Sequence, residues 1–198
     1  GMPVGINEEG RPANLFNNFL TPLSFVDFSH STWLRHFFFH GNCLCAPTAM
    51  IRRSSFIQLG GYDARYANLH DFDFWIRMAA HNKYIHVLAD RFTAFRVRGN
   101  AKNASAPTPQ TSNRSTYEFS QALKQYLHLP KSSLEEIFNQ DLTTLALSQP
   151  TTSERLLAEL ALQANTPHHH LFALDTLFGS ASHTNDLKRL HEIAGLYP

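Results

Sequence analysis

The stretch Gly60-Gly61-Tyr62-Asp63, followed by His70-Asp71-Phe72-Asp73-Phe74-Trp75-Ile76-Arg77, decides how this chain is read. The glycine pair stops a short helix opened by Ser54-Ser55 and carrying Phe56, Ile57 and Leu59, because glycine accepts the backbone that ends helices. Phe72, Trp75, Ile76 and Ala79 then share one stripe of a second helix, which begins near Asp71 and stops around His81-Asn82. Asp71 therefore stands where a loop enters a core-anchored helix, a place from which a side chain can face a cleft. Its plainest role is that of a first-turn acid, worth about 1 kcal/mol to the helix. Asp73 reads as a solvated first-turn acid or as a partner for Arg77 four residues on. Trp75 lies on the apolar stripe and reads as a core anchor.

Upstream, residues 42–53 read as an extended segment ending in Arg52-Arg53. Before it, Ser31 or Thr32 is placed to cap a helix that buries Trp33, Leu34, Phe37 and Phe38. Residues 1–30 carry loop signals with little period, among them Asn17-Asn18 and Thr21-Pro22. After the second helix, residues 84–88 and 92–97 alternate as two short strands around Ala89-Asp90-Arg91. From Gly99 to Asn113 the composition turns to Asn, Ala, Ser, Pro, Thr and Gln, which marks a boundary. Helices are expected beyond it at 115–127, 132–138, 153–165, 167–178 and 184–196, with Pro130, Pro150 and Pro167 at their edges. The expected fold is α+β and helix-rich. A partial α/β unit with short strands occupies 1–106, a linker 107–114, and an all-helical extension 115–198.

Bulk properties exclude several classes. With 17 Lys and Arg against 16 Asp and Glu, the formal net charge of +1 gives no field for nucleic acid. No apolar run approaches the roughly 18–20 residues of a membrane span. Residues 1–10 are polar and lack an apolar core, so no signal peptide is expected, and Gly1 before Met2 reads as a cloning remnant. The two cysteines, Cys43 and Cys45, point the same way on an extended segment and cannot readily bridge. They also lack the second pair of ligands a zinc site needs. They are expected to be reduced core thiols of a cytoplasmic protein, with peripheral attachment to a membrane as the other location. His36 and His40 share a helix face and His168-His169-His170 cluster, but no spaced Glu, Cys or further His accompanies them. Surface histidines are the expectation.

The order of these pieces resembles a known family. A helix leads to Gly41-Asn42, then to Pro47-Thr48-Ala49-Met50-Ile51-Arg52-Arg53, the glycine turn, His70-Asp71-x-Asp73-x-Trp75-x-Arg77, and Phe95-Arg96-Val97-Arg98 before Gly99-Asn100-Ala101-Lys102-Asn103-Ala104-Ser105. This is similar to the second, acceptor-side half of the family 2 nucleotide-sugar glycosyltransferases, which have the GT-A fold and mostly invert the anomeric centre. The resemblance covers about half of the chain. It implies that Asp71 is the general base that takes the acceptor hydroxyl proton. A helix N-terminus would favour its ionised form. His70 stands where the family often has Glu. Asn42, Gly61, Asp63, His70, Arg96 and Arg98 occupy the positions expected to face substrate. Arg98 replaces a frequent His, so metal ligation is not expected there, and an arginine suits leaving-group charge instead.

The resemblance also implies what these residues lack. The first half of such an enzyme supplies parallel strands, an aspartate for the nucleoside, and an Asp-x-Asp motif that holds Mn²⁺ or Mg²⁺ on the diphosphate. None of these precedes residue 42, and Asp71-Phe72-Asp73 belongs to the acceptor-side motif. Gly5-Ile6-Asn7-Glu8-Glu9-Gly10 is similar to the segment shortly downstream of the family's metal motif. The chain is thus expected to hold the acceptor-side portion alone, as a cut piece, a truncated gene product or a split subunit. Its substrates, a nucleotide sugar and a glycan or lipid-linked acceptor, and its metal would belong to the complete enzyme. A homodimer or an upstream partner chain is expected. The rival expectation is a non-catalytic helical interaction module carrying a transferase remnant, with an exposed apolar face.

Overall fold

Ser29 accepts a hydrogen bond from the Thr32 backbone N–H at 3.1 Å and so caps the first helix, α1 (His30–His40). The computed structural model describes residues 3–13, 28–88, 90–99, 103, 106, 108–145, 152–180 and 184–193. Gly41, at φ +79°, ends α1 in a conformation that favours glycine. A 3₁₀ turn (Ala46–Thr48) and the short helix α2 (Arg53–Gln58) then lead to α3 (His70–Ala80). α1 packs on α3, and the rings of Phe37 and Phe72 meet edge-on with centroids 5.9 Å apart. Trp33, Leu34, Phe37 and Phe38 from α1 and Phe72, Trp75, Ile76 and Ala79 from α3 are all buried. Apolar spacing in the sequence thus becomes a two-helix core.

One short parallel sheet completes this unit. β1 (Pro3–Ile6) pairs with β2 (Thr93–Arg96) in the register Pro3–Thr93 to Ile6–Arg96. Arg96 reinforces the pairing by donating from Nη1 to the carbonyls of Asn7 and Glu8 at 2.8 and 2.7 Å. The chain forms two compact units, Gly1–Ser115 and Thr116–Pro198, divided within α4 (Pro109–Leu123).

In the second unit, a 3₁₀ stretch (Lys124–His128) follows α4, and then come α5 (Lys131–Ile137), α6 (Asn139–Leu142), α7 (Ser153–Ala164), α8 (Pro167–Ser180) and α9 (Thr184–Ile193). Thr152 caps α7 through the Arg155 N–H at 3.2 Å, and Asn165 at φ +51° ends it. α8 packs on both α7 and α9, burying Leu156, Leu157, Leu160, Phe172 and Leu177. Arg189 of α9 grips Glu159 of α7 with two bonds of 2.9 and 2.8 Å. The whole is helix-rich α+β. Among the described residues, no helix is long and apolar enough to cross a membrane.

Several expectations need correction. Residues 3–6, read as loop, form β1, whose partner lies about 90 residues downstream. Residues 84–88 alternate in burial as anticipated, yet they join no ladder among the described residues. Alternation reports one-sided burial, and a strand needs a partner edge besides. Pro47 enters a 3₁₀ turn, so 42–53 is not continuously extended. Residues 109–114 are the first turns of α4 rather than a linker. The Thr108 hydroxyl accepts from the Thr111 N–H at 3.2 Å and Pro109 sits at the start, so capping outweighs composition there. The cap of α1 is Ser29, ahead of Ser31 and Thr32. The turns expected at Asn17-Asn18 and Thr21-Pro22, most of 99–105, Pro150 and the end of the last helix lie outside the described residues.

Candidate functional site

Asp71 sits in the first turn of α3, half-buried. Its Oδ1 accepts from the Phe72 N–H at 2.8 Å, which satisfies one of the donors a helix N-terminus leaves open. Its Oδ2 accepts from Asn42 Nδ2 at 3.1 Å. Asn42 reaches it because Gly41 turns the chain off α1, and α1 is already packed on α3. Beside the carboxylate lie His70 and Tyr62, whose rings meet edge-on with centroids 5.0 Å apart. The Tyr62 ring meets Phe56 and Phe74 with centroids 5.2 and 5.4 Å away, and those two rings meet each other at 5.2 Å.

The electrostatics depart from the expected dominance of the helix terminus. Burial raises the Asp71 carboxyl above its ordinary value, outweighing the Asn42 amide, the Phe72 N–H and the His70 charge, which all pull down. Burial also raises the Tyr62 hydroxyl, and the Asp71 charge adds to it. The Cys45 thiol is raised by burial first, with Asp71 again contributing. Asp71 is therefore a carboxylate more basic than one in water, at the centre of the cluster Asn42, Cys45, Tyr62 and His70.

The glycine turn is fixed from behind by Arg77. Its guanidinium pairs with Asp73 one turn earlier at 2.7 Å and donates to the carbonyls of Leu59 and Gly61 at 2.5 and 2.8 Å. Asp73 is only 1% exposed, so of its two expected roles the structure has the Arg77 partner and not the solvated acid. One of these carbonyls belongs to Leu59, the residue that ends α2, and the other to the glycine turn that follows. Gly60 and Gly61 have φ of +80° and +68°, and a Cβ on Gly61 would stand 3.0 Å from Phe56 Cε1. Gly61 thus supports the position of Tyr62. Asp63 is bound to Arg65 within its own loop at 2.5 Å, which holds its carboxyl down at about 2.

Arg96 and Arg98 lie at the other side of the unit's sequence, on and just after β2. Arg96 serves the β1 turn, and the Arg98 N–H donates to Asn103 Oδ1 at 2.7 Å. No described contact joins either arginine to Asp71. Of the seven residues picked from sequence, Asn42, His70 and Asp71 come together and Gly61 and Asp63 form the adjoining turn, while β2, which carries Arg96 and leads to Arg98, packs near the 3₁₀ turn 46–48.

A cleft of about 550 Å³ opens in the same unit, lined by Cys43, Cys45, Trp75, Met78, Tyr84 and Ile85 among others. Cys45 borders the cleft and also feels the Asp71 charge. Sequence reasoning did not find this cleft, because its walls come from 43–55 and 75–88, which only the fold brings together. Cys43 and Cys45 are free thiols and half-buried on its wall, rather than fully in the core, and burial pushes Cys43 up to about 12. Trp75 is 3% exposed and is a core anchor at the cleft floor.

The Asp71-Phe72-Asp73 pair does not fit a divalent metal. Asp73 is buried against Arg77, whose positive charge opposes a cation there, so Asp71 has no second carboxylate of this pair with which to share an ion. Among the described residues, no group of three or more His, Cys, Asp or Glu is arranged to hold an ion. His36 is lowered by burial and by the neighbouring His40, and His168 is lowered to about 4 by burial and by His169.

No protein-family model, curated protein or solved structure matches this chain.

Proposed function

We propose that these residues are the acceptor-side portion of a family 2 glycosyltransferase with a GT-A-like fold, and that Asp71 is its general base. The observation that carries the reading is the Asp71 carboxylate, raised by burial at a helix start and fixed by Asn42. A general base gains from being avid for a proton, and burial raises Asp71 in that direction while the Asn42 amide and the Phe72 N–H favour its ionised form. In the transfer, the acceptor hydroxyl oxygen attacks the anomeric carbon and its proton passes to the free lone pair of an Asp71 oxygen. The bond to the nucleoside diphosphate breaks on the opposite face, and its electron pair leaves with the diphosphate. Tyr62 and His70 offer a ring wall and polar edges to an acceptor sugar. Arg96 serves the turn after β1, and the reading assigns donor binding to residues beyond the acceptor-side portion. The chain alone is then inactive.

The test is an NMR titration of the chain with mono- and oligosaccharides and with a short polyprenyl phosphate. The reading expects saturable shifts at Asn42, Tyr62, His70 and Asp71. Shifts confined to other residues, or none with any of these compounds, would count against it.

A second reading, a non-catalytic interaction module with a transferase remnant, is supported by one observation. Met50, Tyr84 and Leu88 on the cleft wall are 100%, 75% and 54% exposed, an apolar surface of the kind that marks an interface. Sedimentation of the chain tests it. Self-association abolished by Tyr84→Ser and Met50→Ser favours this reading, and a monomer at all concentrations weakens it.

A further inference from the structure

We infer that Asn42 is a positioning residue for Asp71, holding the carboxylate of the proposed base in place through its side-chain amide. The orientation of that amide is fixed. Asn42 Oδ1 accepts from the Leu44 backbone N–H at 3.0 Å, so the group facing Asp71 is the NH₂ and not the oxygen. A reversed amide would lose the Leu44 bond and set an oxygen against a carboxylate oxygen. The base of this arrangement is equally constrained. Gly41 adopts φ +79°, α1 packs on α3, and Phe37 meets Phe72, the residue next to Asp71. With Oδ1 on the Phe72 N–H and Oδ2 on Asn42, the carboxylate is held at both oxygens, and each retains one lone pair for a proton.

The groups that face this carboxylate are His70 beside it, Tyr62 across the turn, and Cys45 on the loop after Asn42. Tyr62 and Cys45 are neutral near pH 7, their protons held more tightly by burial. Asn42 is thus the donor from outside α3 that favours the ionised form. The role of Asn42 rests on the reading of Asp71 as base, but the contact itself can be measured without any turnover.

The experiment is a ¹³C NMR titration of the Asp71 side-chain carboxyl in the wild-type chain, Asn42→Ala and Asn42→Asp. Asn42 is exposed, which favours tolerance of both changes, and Asn42→Asp retains an oxygen for the Leu44 N–H. In Asn42→Ala the Asp71 midpoint should rise by about 0.5–1 pH unit, the scale of one hydrogen bond to a carboxylate. In Asn42→Asp two carboxylates face each other, and the pair should titrate in two steps more than about 1 unit apart. An unchanged Asp71 midpoint in both folded variants would overturn the inference. Should acceptor sugars fail to perturb Asp71 while these shifts appear, the glycosyltransfer reading fails and the Asn42–Asp71 coupling stands.

Discussion

The Arg77 guanidinium donates from Nη2 to the Gly61 carbonyl at 2.8 Å, linking the helix that carries Asp71 to the turn that carries Tyr62. The same side chain is mostly buried and neutralises Asp73, which has no water to fall back on. Arg77→Ala therefore leaves a buried carboxylate and two carbonyls without their donor. It should cost about 3–5 kcal/mol, the scale of breaking one side of a buried pair. Arg77→Lys should recover only part of it, because an ammonium cannot reproduce the planar fork across three acceptors. Urea denaturation of the two variants measures both.

Gly60 and Gly61 make an internal comparison. Both have positive φ, so alanine at either costs about 1–2 kcal/mol in backbone conformation. A Cβ on Gly60 meets open space, whereas one on Gly61 stands 3.0 Å from the Phe56 ring. Gly61→Ala should be the more destabilising and should move the Tyr62 and Phe56 ring signals in NMR spectra. Equal losses would mean that the turn yields more readily than its packing indicates.

Asp71→Asn separates chemistry from stability. The folded carboxyl is raised above its unfolded value, so the folded state binds more protons between the two and stability falls as pH rises through that window. Replacing the carboxylate by a neutral amide removes that penalty. At pH 7 the variant should be as stable as wild type or more so, with the difference shrinking towards pH 3. Acceptor sugars should still bind. A clear destabilisation at pH 7 would show that the carboxylate's hydrogen bonds outweigh its burial.

His168 gives the opposite sign. Burial, and then the charge of His169, lowers it to about 4 against an ordinary 6.5, with its ring 3.9 Å from that of Phe119. The unfolded state binds its proton first as pH falls, so stability is lost between about 6.5 and 4. His168→Gln should flatten that part of the pH–stability curve, measured by thermal denaturation across the window.

Much of the helical framework was legible in local signals. The stripe of Phe72, Trp75, Ile76 and Ala79 fixed α3, and Gly60-Gly61 fixed the end of α2, because both depend on neighbours within one or two turns. The expected helix at 153–165 matches α7, which Thr152 caps and Asn165 ends. What escaped depends on distant partners. β1 exists because Thr93 to Arg96 lies beside it, and nothing in Pro3 to Ile6 announces that. Residues 84–88 have strand alternation without a ladder. At the site, Asp71 was visible as a carboxylate at a helix start. Its contact with Asn42 crosses 29 residues, and its raised carboxyl is set by burial, which sequence does not report. Spacing offered the pair with Arg77 as one of two roles for Asp73, the other being a solvated acid, while the hold of Arg77 on Leu59 and Gly61 needed coordinates.

The central claim is that these residues form an acceptor side without a donor site. The most direct test is calorimetric titration of the intact chain with UDP, GDP and dTDP, each with Mn²⁺. The account predicts no saturable binding of any of the three. Saturable binding of even one would place a donor site within this chain and contradict the account.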